Sequence, residues 1–227
     1  MAWSACYKKV VPYVVCVETP DMSGTGFLFA RTADNLLLAF ATAAHVVEEA
    51  EKWGKPIKIR HHRTGEEEVY SDEERAIWID HENDSAIILV PLPQIRLPHM
   101  VLPIVDKKKH KEIGAEVAWV GYPYFAFQHL CFFTGHISAF EREGNSYLID
   151  GVAINGVSGG TVFAKQKGDR PELIGIVRAY RSNNLQGETL PGLMYAQDLT
   201  SVYSAISKIK SLEEARKKSK SRPSTRL

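Results

Sequence analysis

The stretch GVSGG at positions 156–160 sets Ser158 among three glycines. A serine hydroxyl is a weak nucleophile until a base takes its proton. Histidine can do so near neutral pH, and a buried carboxylate then fixes the imidazole tautomer and stabilises its cation. The sequence offers both partners. His45 ends the apolar run NLLLAFATAAH and opens a helical turn, so its imidazole can project from a rigid wall. Asp84 directly precedes the wholly apolar SAIILV, a place for an acid partly buried at a sheet rim. A carbonyl under attack gathers negative charge on its oxygen, which calls for two N–H donors aimed at one point. A chain curled that tightly needs residues without side chains, and the N–H groups of Gly156 and Ser158 are the natural pair. Taken singly, each signal also fits a plainer role: a Ser/Gly turn, a structural histidine, an Asx-type bend. Together they describe acyl transfer through a serine.

The elements that must position these groups read mostly as strands. PYVVCVET, GTGFLFAR, NLLLAFAT, PIKIRHH, EEEVYS, RAIWID and SAIILVP are short β-branched and aromatic runs, separated by Gly, Pro, Asp or charged residues. A second series follows: EVAWVGYP, LCFFTGHISAF, SYLIDGV, GTVFAK, LIGIVRAY and GLMYAQDL. Strands this short and this closely spaced predict an all-β barrel or sandwich. The proline-rich LPQIRLPHMVLPIVDKKKHKEIG lies between the series and reads as their connection. Its cluster Lys107, Lys108, Lys109, His110 and Lys111 reads as a solvated loop, with an anion patch as the alternative. AAHVVEEAEKW predicts a short helix. In LTSVYSAISKIKSLEEARKKSK, Val202, Ala205, Ile206 and Ile209 share one helical face. The run Val10 to Val17, interrupted by Pro12, predicts a strand rather than a secretory signal segment.

The order His, Asp, Ser on two runs of short strands resembles the trypsin-like (chymotrypsin-fold) serine peptidases, in particular their compact bacterial, HtrA-like protease-domain branch. GTGFLFA resembles the family's opening strand, TAAHV its histidine motif, NDSAIILV its aspartate motif and INGVSGG its serine motif. The resemblance spans roughly residues 10 to 206. It implies two antiparallel β-barrels of the chymotrypsin type and a C-terminal α-helix: an N-terminal barrel over 1–105 with His45 and Asp84, a second over 106–200 with Ser158, a helix over 201–215, and a disordered basic tail over 216–227. It also implies His45 as general base, Asp84 as orienting acid, Ser158 as nucleophile, and Gly156 and Ser158 as oxyanion donors. Six residues before the serine, Val152 falls at the expected pocket floor, which suits a small or medium apolar side chain. Ile176, Val177, Arg178, Ala179 and Tyr180 fall on the strand that pairs with substrate.

The sequence departs from the family at several points. Val157 stands where the secreted digestive members carry an aspartate that pairs with a newly cut N-terminus. Arg178 and Tyr180 stand where small residues are common, and Arg178 could bind an acidic substrate group or pair with Asp150 or Glu172. Arg178 and Tyr180 motivate a second reading, a protease fold that captures peptides by strand addition without cleaving them; a third is a latent peptidase switched on by a separate regulatory protein.

Lysine plus arginine (28) nearly balances aspartate plus glutamate (27), so no specific nucleic-acid partner is expected; the resemblance implies a protein or peptide substrate. No run approaches the ~20 apolar residues of a membrane span. Cys6, Cys16 and Cys131 are odd in number and lack CxxC spacing, which predicts a reducing, cytoplasmic setting. Cys131 lacks flanking glycines and is not read as a nucleophile. His61 and His62, and His81 among the acids of DHEND, lack diagnostic metal spacing, so no metal or cofactor is expected.

Overall fold

The computed structural model describes residues 3–92, 94–107, 109–126, 128–185 and 188–220, with the side chains of 179–192 and 217–220 outside the description. The chain begins with helix α1 (Ser4–Val10), followed by β1 (Val14–Glu18), β2 (Ser23–Arg31), β3 (Leu37–Ala43), α2 (Ala44–Lys52), β4 (Ile57–His61), β5 (Glu67–Tyr70), β6 (Ala76–Asp80) and β7 (Ser85–Pro91). A second group comprises β8 (Glu116–Gly121), β9 (Cys131–Glu141), β10 (Ser146–Ile149), β11 (Thr161–Gln166), β12 (Arg170–Leu185) and β13 (Glu188–Asp198). Helix α3 (Thr200–Lys220) ends the described chain.

The first seven strands form one sheet in the order β5-β4-β1-β2-β3-β7-β6. The last six close into a barrel, β10-β13-β12-β11-β8-β9. The fold is thus all-β, with one closed barrel, a half-barrel sheet and a C-terminal helix. The strand that carries Asp84 at its start, β7, is apolar nearly throughout because Ala86, Ile87, Ile88 and Val90 are all buried. By contrast β4 alternates buried and part-buried positions, the signature of a sheet with one wetter face. One large core joins the halves, since Phe27, Phe29 and Ala41 of the first sheet pack in the same cluster as Trp119, Val157 and Phe163 of the barrel.

Three local expectations differ from the structure. The run from Val10 begins as helix: α1 and a 3-10 turn over Val11–Tyr13 precede the strand, which starts only at Val14. Trp3 and Tyr7 hold α1 on the barrel by ring contacts with Phe132, and Trp3 also meets Phe163 edge-on. The inter-sheet connection is not wholly solvated. Leu102 and Val105 are buried, and Val105 N–H donates to the Leu173 carbonyl at 2.9 Å. Lys111 pairs with Glu172, and the His110 ring lies 4.0 Å from that of Phe140; Lys108 lies outside the described residues. Finally, α3 continues to Lys220, five residues beyond 215, and residues 221–227 of the expected tail lie outside the description.

Candidate active site

Strand register brings His45 to Asp84. β3 and β7 pair antiparallel from Leu37↔Pro91 to Ala43↔Ser85. The residues just beyond that last pair therefore meet: Ala44 and His45 leaving β3, Asp84 entering β7. Asp84 has a left-handed backbone (φ 43°), which an aspartate tolerates better than most side chains. Helix α2 has no side-chain cap of its own at Ala43, and Asp84 caps it from across the sheet. The Ala44 N–H donates to the Asp84 carbonyl and the His45 N–H to Asp84 Oδ1, both at 3.1 Å. The same carboxylate lies 2.9 Å (Oδ2) and 3.1 Å (Oδ1) from His45 Nδ1. A carboxylate that accepts from this nitrogen makes Nδ1–H, as donor, the favoured tautomer and leaves Nε2 as the free base. The imidazole is 39% exposed and Asp84 19%, so the base meets solvent while its acid is largely covered.

The Ser158 turn is built on the barrel but clamped by the first sheet. The Thr25 N–H donates to the Ser158 carbonyl at 2.8 Å, and the Thr25 hydroxyl donates to the Gly156 carbonyl at 2.9 Å. That hydroxyl also accepts the Tyr122 N–H at 3.0 Å, while the Thr25 carbonyl accepts the Thr42 hydroxyl at 2.7 Å. Thr25 is fully buried. Gly156 (φ 93°) and Gly159 (φ 83°) take conformations that side chains resist. Space forbids side chains there too: a β-carbon at 156 would overlap the Tyr122 carbonyl, and one at 159 would overlap the Thr25 carbonyl and lie 2.9 Å from the Ala43 nitrogen. Gly159 is thus packed against the residue two before His45. Among the described residues, neither the Gly156 N–H nor the Ser158 N–H donates to a backbone acceptor, and the Ser158 hydroxyl has no hydrogen-bond partner.

Strand β12 lies alongside. The Gly159 N–H donates to the Val177 carbonyl and the Val177 N–H to the Gly160 carbonyl, each at 2.8 Å.

Residues 24–176 match the family model of the trypsin-like peptidase domain. The chain belongs to this family. Among solved structures, the crystal structure of the serine endoprotease from Yersinia pestis matches with a TM-score of 0.68 at 21% identity, over 92% of this chain. The matched region is 66% of that chain, so the present sequence spans about two thirds of its length, and the likeness shows the fold. No curated relative matches the sequence.

The other expected substrate-binding positions fare differently in this trypsin-like domain. Ile176 and Val177 are buried (0% and 1% exposed); Ile176 pairs with a strand on either side, and the Val177 N–H and carbonyl are taken by the serine turn. Val152 is 52% exposed and faces solvent rather than an enclosed floor. Ala179 and Tyr180 continue β12 opposite Tyr195 and Met194, and their side chains lie outside the description. Arg178 pairs with neither Asp150 nor Glu172, which are taken by His136 and Lys111; its Nε lies 3.9 Å from Asp84 Oδ2. The course of β12 accounts for this, since it passes the serine turn and carries Arg178 toward the start of β7. Two features escaped the sequence reading. Thr25 reads only as a strand residue in GTGFLFA. Tyr124 and Phe125, 73% and 76% exposed, flank the serine turn, with the Tyr124 N–H donating to the Asn155 carbonyl at 2.7 Å; the aromatic cluster YPYFAF was the available signal. Among the described residues no group of acidic, histidine or cysteine side chains is arranged to hold a metal, and no helix is long and apolar enough to cross a membrane.

Proposed function

We propose that this chain is a serine endopeptidase that cleaves protein or peptide substrates. Ser158 attacks the carbonyl carbon while Nε2 of His45 takes the hydroxyl proton, and Asp84 holds the imidazole and stabilises its cation. The oxyanion lies between the N–H groups of Gly156 and Ser158. His45 then gives its proton to the leaving amine, and water repeats the sequence on the acyl-enzyme. The observation that carries this reading is the Asp84 carboxylate, which grips both the ring and the backbone of His45 while Gly159 packs two residues away on β3. The Ser158 hydroxyl completes its link to His45 when substrate enters, as catalytic hydrogen bonds commonly do. A reducing, cytoplasmic setting goes with it: Cys6 and Cys16 are buried and unpaired, and burial pushes the Cys16 thiol up to about 11, where it is inert at neutral pH.

The test is labelling with a fluorophosphonate, with cleavage of a diverse peptide library read in parallel. Modification of Ser158 in the wild type, lost in His45→Ala, together with cleavage lost in Ser158→Ala, is the expected result. A well-folded protein that binds peptides yet is never labelled would replace the peptidase with a peptide-capture module. The unpartnered Ser158 hydroxyl favours one second reading, a latent enzyme whose Ser–His link a separate protein closes. Labelling that appears only when lysate is added selects it, and full labelling of the pure chain dismisses it.

A further inference from the structure

We propose that Arg178 makes this site selective for acidic substrates, its guanidinium receiving an aspartate or glutamate carboxylate on the amino-terminal side of the cleaved bond. The proposal rests on the peptidase reading above and names its substrate class. Arg178 follows directly on Val177, whose N–H and carbonyl both bond the serine turn. The pairing of β12 with β11 ends at Thr161↔Ile176 and Val177 is taken by the serine turn, so beyond Val177 the edge of β12 on that side has no strand partner among the described residues. A peptide added to that edge runs past Arg178.

The arginine is held there but not spent. Its Nε is 3.9 Å from Asp84 Oδ2, an ion pair too long for a hydrogen bond. Asp84 already accepts from the His45 backbone through Oδ1 and from His45 Nδ1 through its carboxylate, so it has little left for a guanidinium. Arg178 makes no hydrogen bond among the described residues, and its side chain is 31% exposed. Asp150 and Glu172, the other acids open to it by sequence, are engaged elsewhere. Five donors in a planar fork, anchored loosely by charge beside Asp84, match a carboxylate in bidentate geometry. A lysine or a small residue at this position would not offer that fork.

Two readouts test it, and they separate this proposal from the peptidase reading. Peptide binding is measured on Ser158→Ala, and library cleavage on the chain with Ser158 intact. The expected result is a preference of about tenfold for Glu or Asp over Gln within three residues before the cleaved bond, weakened by added salt. Arg178→Gln brings that ratio to within about twofold, Arg178→Lys keeps part of it, and Arg178→Glu turns it toward Lys or Arg, as a charge-assisted contact requires. Absence of acidic preference in the parent chain overturns the proposal, as does a preference that survives Arg178→Gln. Should Arg178→Gln fail to fold, the parent's salt response and Arg178→Lys decide. Acidic-peptide binding without any cleavage keeps the Arg178 assignment and removes the peptidase; cleavage blind to acidic residues does the reverse.

Discussion

His45 and Asp84 sit at the end of one hydrogen-bonded ladder, where the pairing Ala43↔Ser85 sets them side by side. Ser158 sits in a turn outside any ladder, held by contacts from the opposite sheet through Thr25. The first arrangement needs one left-handed residue, Asp84, which its own carboxylate helps to fix by bonding α2. The second needs two left-handed glycines, Gly156 pressed against Tyr122 of its own half and Gly159 against Thr25 of the first sheet. The proposed acid–base pair is therefore internal to its unit, while the proposed nucleophile also depends on how the two units dock. Mutations should separate these dependencies.

The largest effect is expected at Asp84→Asn. The amide oxygen can still accept the His45 N–H, so the helix cap and the fold survive. The amide NH₂ then faces Nδ1 as a donor and favours the wrong tautomer. We expect kcat/KM to fall by about 10⁴-fold, with a change in urea stability under about 1 kcal/mol. A large loss of stability alongside the loss of activity would show that the pair is not independent of the scaffold.

How far these features were legible in the sequence depends on how local their causes are. The thirteen strands were legible because β-branched runs bounded by Gly, Pro and Asp carry their own signal. His45, Asp84 and Ser158 could be singled out as candidates because each sits at an abrupt change of pattern: apolar strand to helix, turn to apolar strand, glycine cluster to strand. Helix α1 was not, since seven residues are too few to show helical periodicity and the valines after it read as strand. The partner of Arg178 was not, because it lies across two sheets and nothing near Arg178 in sequence points to Asp84. Val152 was placed by counting back from Ser158, and its exposure depends on the course of the loop between β10 and the serine turn, which counting does not predict. Thr25 carries no local mark of its role, since a buried threonine in a strand reads as one more β-branched residue.

Thr25→Val is the next test of the comparison. Valine keeps the shape but removes the bond to the Gly156 carbonyl and the acceptor for the Tyr122 N–H. Leaving two buried backbone groups unpaired costs about 1–3 kcal/mol each, read as a lower urea midpoint. If the serine turn depends on docking, kcat/KM falls by about tenfold to a hundredfold as its donors shift, and Thr25→Ser restores most of both. Lost stability with unchanged kcat/KM would instead mean that the barrel shapes the turn unaided.

The smallest expected effect concerns pH and the first sheet alone. His61, at the end of β4, is 1% exposed, with Nε2 3.0 Å from the Pro12 carbonyl and Nδ1 3.1 Å from the Thr64 hydroxyl. Burial lowers its pKa against the opposing pull of the Pro12 bond and Glu66, with Arg63 adding to the decrease. Burial also lowers that of His62, aided by His61 and Arg60. A histidine kept neutral by folding contributes stability that is complete above its unfolded pKa of about 6.5. That contribution shrinks as pH falls below this value, because the unfolded chain gains the proton first, and it levels off below the depressed folded value. Stability should therefore be flat from pH 8 to 7 and decline from about pH 6.5, by no more than ~1.4 kcal/mol per pH unit for each histidine. Paired carboxylates begin to act only below about pH 4.5. Hydrogen exchange at pH 5.5 should show β1 and β4 opening more readily than at pH 7.5, with β8 and β11 unchanged, and His61→Asn should reduce that difference. Equal acid sensitivity in both units would mean that they open as one body, and the separation drawn between the base and the nucleophile would then hold for geometry but not for stability.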